Sequence, residues 1–431
     1  MFTVAELEEL IERTRDVHKK FKEQANTGRR YYLNQNDILT ERSPANTGEA
    51  NQDSSLRRAD NRVPNNFHQL LVDQKVAYTV TEPPRFAVDD DVINESIRNI
   101  LGGCFPKITK QLATDASNVG FAWLHVWRGD EGFKYAVVDA VQLIAEYSQD
   151  LESELTSVLR MYQIEEVVYY EYWTVDRCYR FEGEEEHRNI IAIDDFPHEW
   201  GRVPFISFHN NNKNTNDLNM YKNHIDVYDT VYNGFANDVE DVQEVILILK
   251  GYGGTTLDEL NEGIRRHKAL NLGDASPDSG LDKLTIEIPV EARDKLLDIT
   301  RKRIFEAGMG LDPLDERMGT SSGIALEYKY SLLEMKAALL EAEFREGFAN
   351  LISFILTFLN HNTTSEVEQK WTRTAIRNNI EQSQIIANLA NVTSKQNVAK
   401  ANPLVDDYLE ELELLKQERL DEVRMEDDYN E

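Results

Sequence analysis

One apolar stripe constrains this chain more than any other feature. Leu326, Tyr330, Leu333, Ala337, Leu340, Phe344, Phe348, Leu351, Ile355 and Phe358 follow one another at spacings of four and three. That is the period of one face of an α-helix. Taken over residues 324–360, it predicts about 36 residues, or about 55 Å at 1.5 Å per residue. A rod of that length outreaches a small domain, so it is expected to serve an assembly. Its most apolar run, Leu351 to Leu359, contains Ser353 and Thr357. The run falls far below the ~18 residues of a membrane span, so no membrane partner is expected.

The chain before this rod changes period twice. Val4, Leu7, Leu10, Ile11, Val17 and Phe21 predict an amphipathic helix over 4–21. Residues 43–56 are polar and turn-rich, as a mobile loop would be. Asn65 or Asn66 is placed to cap a helix carrying Phe67, Leu70, Leu71 and Val76. Glu82-Pro83-Pro84 ends it, and Ile93, Ile97, Ile100 and Leu101 mark another helix. Asp89-Asp90-Asp91 suits the start of that helix better than a cation site, because acids favour the first turn.

From Gly120 to Phe208 the period becomes two. Residues 121–127 and 133–138 flank the turn Arg128-Gly129-Asp130-Glu131-Gly132, which predicts a β-hairpin. Segments 158–164, 167–175, 178–181 and 188–193 continue as strands rich in Tyr, Trp and Val. The expectation is an antiparallel meander preceded by helices, hence an α+β fold, mainly helical. His125, between Trp123 and Trp127, reads as a packed structural histidine.

Helical spacing returns with Ile225, Tyr228, Tyr232, Phe235, Val239, Val242, Ile246 and Leu249. This predicts a helix of about 25 residues ending near Gly251. A mixed insert follows, with the basic patch Arg265-Arg266-His267-Lys268 and a turn that includes Asp274. Pro289 then opens a helix over 290–307. A glycine-rich connection carrying Gly308, Gly310, Gly319 and Gly323 leads into the long rod. Residues 375–389 and 406–431 are read as helical, and the second stretch holds 12 acids against 3 bases.

Charge and missing motifs exclude much. With 77 Asp plus Glu against 47 Lys plus Arg, the net charge is −30. A protein that grips DNA neutralises phosphates with clustered Lys and Arg, so tight DNA binding is not expected. No GxxxxGK[ST], HExxH or CxxC is present, so no nucleotide motor or zinc protease is expected. The nine histidines are scattered, and neither a metal site nor a cofactor is expected. Cys104 and Cys178 read as two free thiols of a reducing compartment. The start, Met1 to Glu6, has neither the basic beginning nor the apolar run of a signal peptide.

Six segments in order resemble the portal proteins (head–tail connectors) of tailed bacteriophages, of the type found in long-tailed phages of Gram-positive hosts. They are Asn61-Arg62-Val63-Pro64-Asn65-Asn66-Phe67 with Gln74-Lys75-Val76-Ala77-Tyr78; Tyr228-Asp229 with residues 236–241; Ile246 to Thr255; Leu284 to Arg293; Gly319-Thr320-Ser321-Ser322-Gly323-Ile324-Ala325-Leu326; and Asn379 to Gln384. Together they cover roughly 55–415 of the chain.

The resemblance implies a ring of about twelve copies around a tunnel, at one capsid vertex of the virion, assembled in the host cytoplasm. Double-stranded DNA would pass through it, without sequence specificity, during packaging and ejection. Implied partners are the terminase large subunit, a head-completion or adaptor protein, and the major capsid and scaffold proteins. Residues 1–225 would form the wing, 226–248 and 290–307 the stem helices, and 249–289 the clip. Residues 308–323 would form the tunnel loop, 324–360 the long helix and 361–431 the crown.

On this pattern the tunnel loop offers Gly310, Asp312, Asp315, Glu316, Arg317, Gly319, Ser321, Ser322 and Gly323. The clip offers Arg265, Arg266, His267, Lys268 and Asp274 for docking. The stem offers Asp229, Asn237, Asp238, Arg293, Lys295, Arg301 and Lys302. Arg293, Lys295, Arg301, Lys302 and Arg303 either form a basic band or pair with acids of a neighbouring subunit. An acidic lining would repel phosphate and let DNA slide. The bland alternative for 308–323 is a plain helix connector. Two other functions compete: an acidic helical scaffold or adaptor, and a nuclease using metal-bound carboxylates.

Overall fold

The computed structural model describes residues 2–40, 59–130, 132–242, 246–250, 280–284, 289–314, 323–361 and 367–374, with short pieces between 393 and 417. Helix α1, Val4–Tyr32, opens with a capping box in which Thr3 and Glu6 each accept the other's backbone N–H. It runs well past residue 21, the end expected from its pattern. Ala25, Gly28 and Tyr31 prolong the buried face, and two of these are too small to register as an apolar stripe. Helix α2 is Phe67–Val80. Asn66 stands at its N-cap without a side-chain cap, so neither asparagine caps the helix as expected. Strand β1 is Arg85–Ala87. Helix α3, Asp91–Leu101, is capped by Asp90 through the amides of Val92 and Ile93.

Helix α4, Phe105–Val119, has no counterpart in the sequence reading. Its buried face includes Thr109, Ala113, Ala116 and Ser117. The two hydroxyls donate to carbonyls four residues back, on Phe105 and Ala113. Polar side chains satisfied in this way enter a core without showing a hydrophobic period.

The single meander expected over 120–208 is two sheets. Strands β2 (Phe121–Gly129) and β3 (Gly132–Val138) form the expected hairpin, with Gly129 opposite Gly132. Strands β4 (Leu143–Tyr147), β5 (Leu155–Ile164), β6 (Val167–Trp173), β7 (Arg177–Glu184) and β8 (Arg188–Pro197) make a separate five-stranded antiparallel sheet. Strand β9, Phe205–His209, returns to pair with β2 in the order β3-β2-β9. Leu7, Leu10 and Ile11 of α1 cover one face of the larger sheet at Leu159, Tyr170, Phe181 and Ile190.

Helix α5, Lys222–Val242, stops earlier than its pattern predicts. Ile246–Lys250 is strand β10, paired antiparallel with β11, Gly280–Leu284. The run Ile246-Leu247-Ile248-Leu249 keeps apolar residues at helical spacing, but β-branched residues in a short unbroken run also suit a strand. Helix α6, Val290–Ala307, packs beside α5. Helix α7 is Gly323–Phe358. Strand β12, Glu368–Lys370, pairs with β1.

The main core lies along α7. Leu340, Phe344, Phe348, Leu351 and Ile355 pack against residues of α2, α3, α4, β2 and β9. Gly347 lies against the Phe208 ring, where a Cβ would come within 2.6 Å of ring carbons. His125 is buried, donates from Nδ1 to the Pro204 carbonyl at 2.9 Å, and stacks on Phe205 and Trp127. Cys104 is exposed and Cys178 buried, and both are free. No helix among the described residues is long and apolar enough to cross a membrane.

Candidate functional site: a strapped helix pair and the base of its loop

An extended segment, Asn61–Asn66, lies along α5 in reverse direction. Asn237 Oδ1 accepts from the Asn61 amide at 2.7 Å. Asn233 accepts from the Val63 N–H at 2.7 Å and donates to its carbonyl at 2.9 Å. Asp229 accepts from the Asn65 N–H at 3.1 Å and its side chain at 2.7 Å. The match follows from geometry. Two residues of extended chain advance about 6.6 Å, and four residues of helix about 6 Å. Alternate residues 61, 63 and 65 therefore meet helix positions 237, 233 and 229. Pro64 falls between contacts, where its missing N–H costs nothing.

Asp229 also accepts from Asn36 at 2.6 Å and is 1% exposed. Burial pushes its carboxyl above the ordinary range, against the pull of the Asn36 and Asn65 donors. Asp229→Ala is expected to cost about 2 kcal/mol, since it orphans buried amide donors. Urea unfolding followed with the protein's native tryptophans checks this; a midpoint within error of the parent's would refute the strap.

The strap delivers Phe67 into the helix pair. Its ring meets Tyr228 of α5 and Phe305 of α6 edge-on, at 4.9 and 6.0 Å between centroids. Arg301 lies 5.6 Å over Phe67 and binds Asp312 with two nitrogens, at 2.9 and 2.6 Å. Arg293 of α6 bonds to Asp238 of α5. Arg303 pairs with Glu306 one turn on, while Lys295 and Lys302 are exposed.

Arg293, Arg301 and Arg303 each find an acid within their own chain. The antiparallel helix brings Asp238 opposite Arg293, and the turn after α6 swings Asp312 back to Arg301.

The start of the glycine-rich connection is held in place. Gln74 of α2 accepts from the Leu311 N–H at 2.9 Å and donates to the Leu311 carbonyl at 2.7 Å. Asp312 accepts from the Leu314 N–H at 2.9 Å. Gly308 and Gly310 are needed for close packing, not for unusual backbone angles. A Cβ on either would stand 2.5 or 2.2 Å from the buried Leu71 side chain. The residue with positive φ is Met309, at 53°. Asp312 is engaged by Arg301.

Of the residues singled out in the sequence, Asp229, Asn237, Asp238, Arg293 and Arg301 are spread along the α5–α6 pair, and Gly310 and Asp312 lie at the start of the loop that follows it. Gly323 begins α7. Asp315, Glu316, Arg317, Gly319, Ser321 and Ser322 lie outside the described residues, as do Arg265, Arg266, His267, Lys268 and Asp274. Sequence reasoning missed Asn233, Asn36 and Gln74. The one available signal was the i, i+4 recurrence of short polar side chains at 229, 233 and 237 on a helix. Among the described residues no group of three or more His, Cys, Asp or Glu could hold a metal. The arrangement is mechanical: it fixes a helix pair and one end of a loop.

Comparison with known proteins places this architecture. Residues 11–425 match the family described as phage portal protein, SPP1 Gp6-like. The portal protein of Clostridium phage phiCD119 is 38% identical over 426 residues, covering 93% of this chain and 94% of that one. The portal protein of Bacillus phage SPP1 is 29% identical over 419 residues, covering 91% and 82%. The fold resembles a chain in the neck of an empty GTA particle, with a TM-score of 0.50 at 11% identity, over 78% of this chain and 90% of that chain. A match over nearly the whole length, on a mixed α+β fold with a strapped helix pair, shows that this chain belongs to the phage portal protein family.

Proposed function

We propose that copies of this chain close into a ring of about twelve subunits around a tunnel for double-stranded DNA. The ring would stand at one vertex of the phage capsid and serve packaging and then ejection. Residues 1–225 form the wing, α5 and α6 the stem, 249–289 the clip and 308–323 the tunnel loop. Helix α7 supports the wing and crown, and 361–431 form the crown. The clip receives the terminase large subunit and later a head-completion or adaptor protein, while the wing meets capsid and scaffold proteins. In this reading the chain supplies a path for DNA and no catalysis.

The observation that carries the reading is the α5–α6 pair. The Asn61–Asn66 strap ties it to the N-terminal region along α5 from Asp229 to Asn237, and one end opens into the glycine-rich loop. The other end leads through β10 and β11 to the 251–279 insert. A stem between a body and a docking tip needs this connectivity. Negative-stain microscopy of the purified protein is the direct test. Closed rings are expected, and a monomer or irregular oligomer would sink the proposal.

The conduit role makes a separate demand on charge. A wall with an acidic majority keeps phosphates at a distance. Asp315→Lys combined with Glu316→Lys adds cations that hold phosphate by counterion release. Rings are expected to form normally and packaged DNA to fall several-fold in a reconstituted reaction. Undiminished packaging would remove this loop from the lining. Asp312 is left out because Arg301 already engages it.

A further inference from the structure

A second polar cluster lies beneath the loop, fully inside the protein. Lys75 of α2, Asp217 in the turn after β9, and Lys336 of α7 are 1%, 1% and 5% exposed. Asp217 Oδ2 lies 2.8 Å from Lys75 Nζ and 3.1 Å from Lys336 Nζ. Lys75 also donates to Asn210 Oδ1 at 2.7 Å, and Asn210 donates to the other Asp217 oxygen at 2.9 Å. Lys75, Asn210 and Asp217 therefore make a closed and charge-balanced triangle. Lys336 is the surplus cation.

Burying a charge is costly unless it is paired and fully hydrogen-bonded. Lys336 is not needed to neutralise Asp217, so its burial calls for another reason. Besides lying 5.8 Å from the Tyr221 ring centroid, Nζ donates to the Gly308 carbonyl at 2.9 Å, which supplies one. That carbonyl lies just past α6, where helix carbonyls lack partners and carry partial negative charge. Gly308 is also the first residue of the glycine-rich loop. Around this bond, Leu333 and Ala337 of α7 pack with Tyr78 and with Leu311 of the loop base. Farther along, α7 is embedded in the main core through Leu340 to Ile355.

We propose that Lys336 couples the long helix to the base of the tunnel loop, so that a displacement of α7 is passed to Gly308–Leu311. Its partner would be the loop of its own chain, and its role would be to position that loop for passing DNA. The positioning role rests on reading 308–323 as a conduit element; the mechanical coupling does not.

Amide hydrogen exchange on the assembled full-length protein tests the coupling. Lys336→Met keeps the length of the side chain and leaves the balanced Lys75–Asp217 pair, so assembly is expected. Exchange at Gly308, Gly310 and Leu311 should accelerate about tenfold, while amides in the middle of α5 stay at the parent rate. Lys336→Leu should do the same and serves if Lys336→Met does not assemble. Lys336→Gln keeps a donor for the carbonyl and should recover most of the protection, which simple core packing would not predict. Parent-like exchange in an assembled Met or Leu variant overturns the coupling, as does equal loss of protection in the Gln variant. Faster exchange with undiminished DNA packaging would uphold the coupling and count against the conduit reading alone.

Discussion

Asp217→Ala is expected to destabilise the fold by about 3–5 kcal/mol, the usual cost of leaving buried charges without a partner. Burial alone would raise this carboxyl, but the Lys336 and Lys75 ammoniums and the Asn210 amide outweigh it and hold it well below the carboxylate range. Removing it strands two ammoniums and one amide in a site 1–5% exposed. The sign of the pH response tells this mechanism from a simple cavity. Burial already lowers Lys75 from 10.5 to about 8, with Asp217 pulling the other way. Without Asp217 the lysine falls further. Its unfolded state then binds more protons than the folded state below 10.5, and stability rises with pH across that window. The variant should regain part of its loss between pH 7 and 9 in thermal unfolding. A loss independent of pH would mean that packing, not charge, holds the junction.

This cluster was hard to see in the sequence, because a buried lysine and a solvated one are the same letter. Lys336 lies between Leu333 and Leu340 on the flank of the apolar stripe, a position that lysine normally leaves by extending its stem to water. Only the carbonyl of Gly308 and the carboxylate of Asp217 explain why it turns inward. Lys75 and Gln74 do stand in one of the segments that resemble the portal family. The resemblance marked the place without giving the reason, which is a clamp on a loop more than two hundred residues away in the chain.

Elements whose stability comes from a repeated apolar face were legible. The α7 stripe is buried from Leu333 to Ile355, position by position, and the β2–β3 turn follows from its glycines. Elements held by small or polar contacts were not. Helix α4 hides behind Ala113, Ala116, Thr109 and Ser117. The Asn61–Asn66 strap is held by polar contacts some 170 residues apart, and the short polar side chains at 229, 233 and 237 carry no apolar period. The net charge of −30 also reads differently now. Asp217, Asp229, Asp238 and Asp312 are spent on internal contacts, so an acidic lining, as proposed for the conduit, would have to draw on other acids.

Acidification from pH 7 to 4.5 is expected to remove at least about 3 kcal/mol of stability, through histidines held neutral inside the fold. Burial lowers His68 and His125 from 6.5 to about 4, and the half-buried His18 likewise, which adds to the loss. His68 donates from Nε2 to Asn118 Oδ1 at 3.0 Å and accepts at Nδ1 from the Tyr221 hydroxyl at 2.7 Å. Asp217 nearby pulls its pKa up, and Lys336 and Lys75 push it down. His125 faces the Pro204 carbonyl, which favours the charged ring, and Arg160 and His198, which oppose it. A folded pKa below the unfolded one means stability is complete above 6.5 and drains away as pH falls toward 4. His68 and His125 each contribute about 2.5 kcal/mol at pH 4.5. Asp115 works in the opposite sense. Burial raises it from 3.8 to about 6, so its neutral form returns about 2 kcal/mol over the same window. The net slope from His68, His125 and Asp115 therefore corresponds to uptake of close to one proton on unfolding. Urea midpoints at half-unit pH steps would measure it. His125→Phe should flatten the slope by close to one proton between 6.5 and 4 while lowering stability at pH 7, because the Pro204 carbonyl loses one of its two donors and keeps only the Val126 N–H. An unchanged slope in that variant would mean that His125 is solvated enough to carry charge in the fold, contrary to its stacking between Phe205 and Trp127.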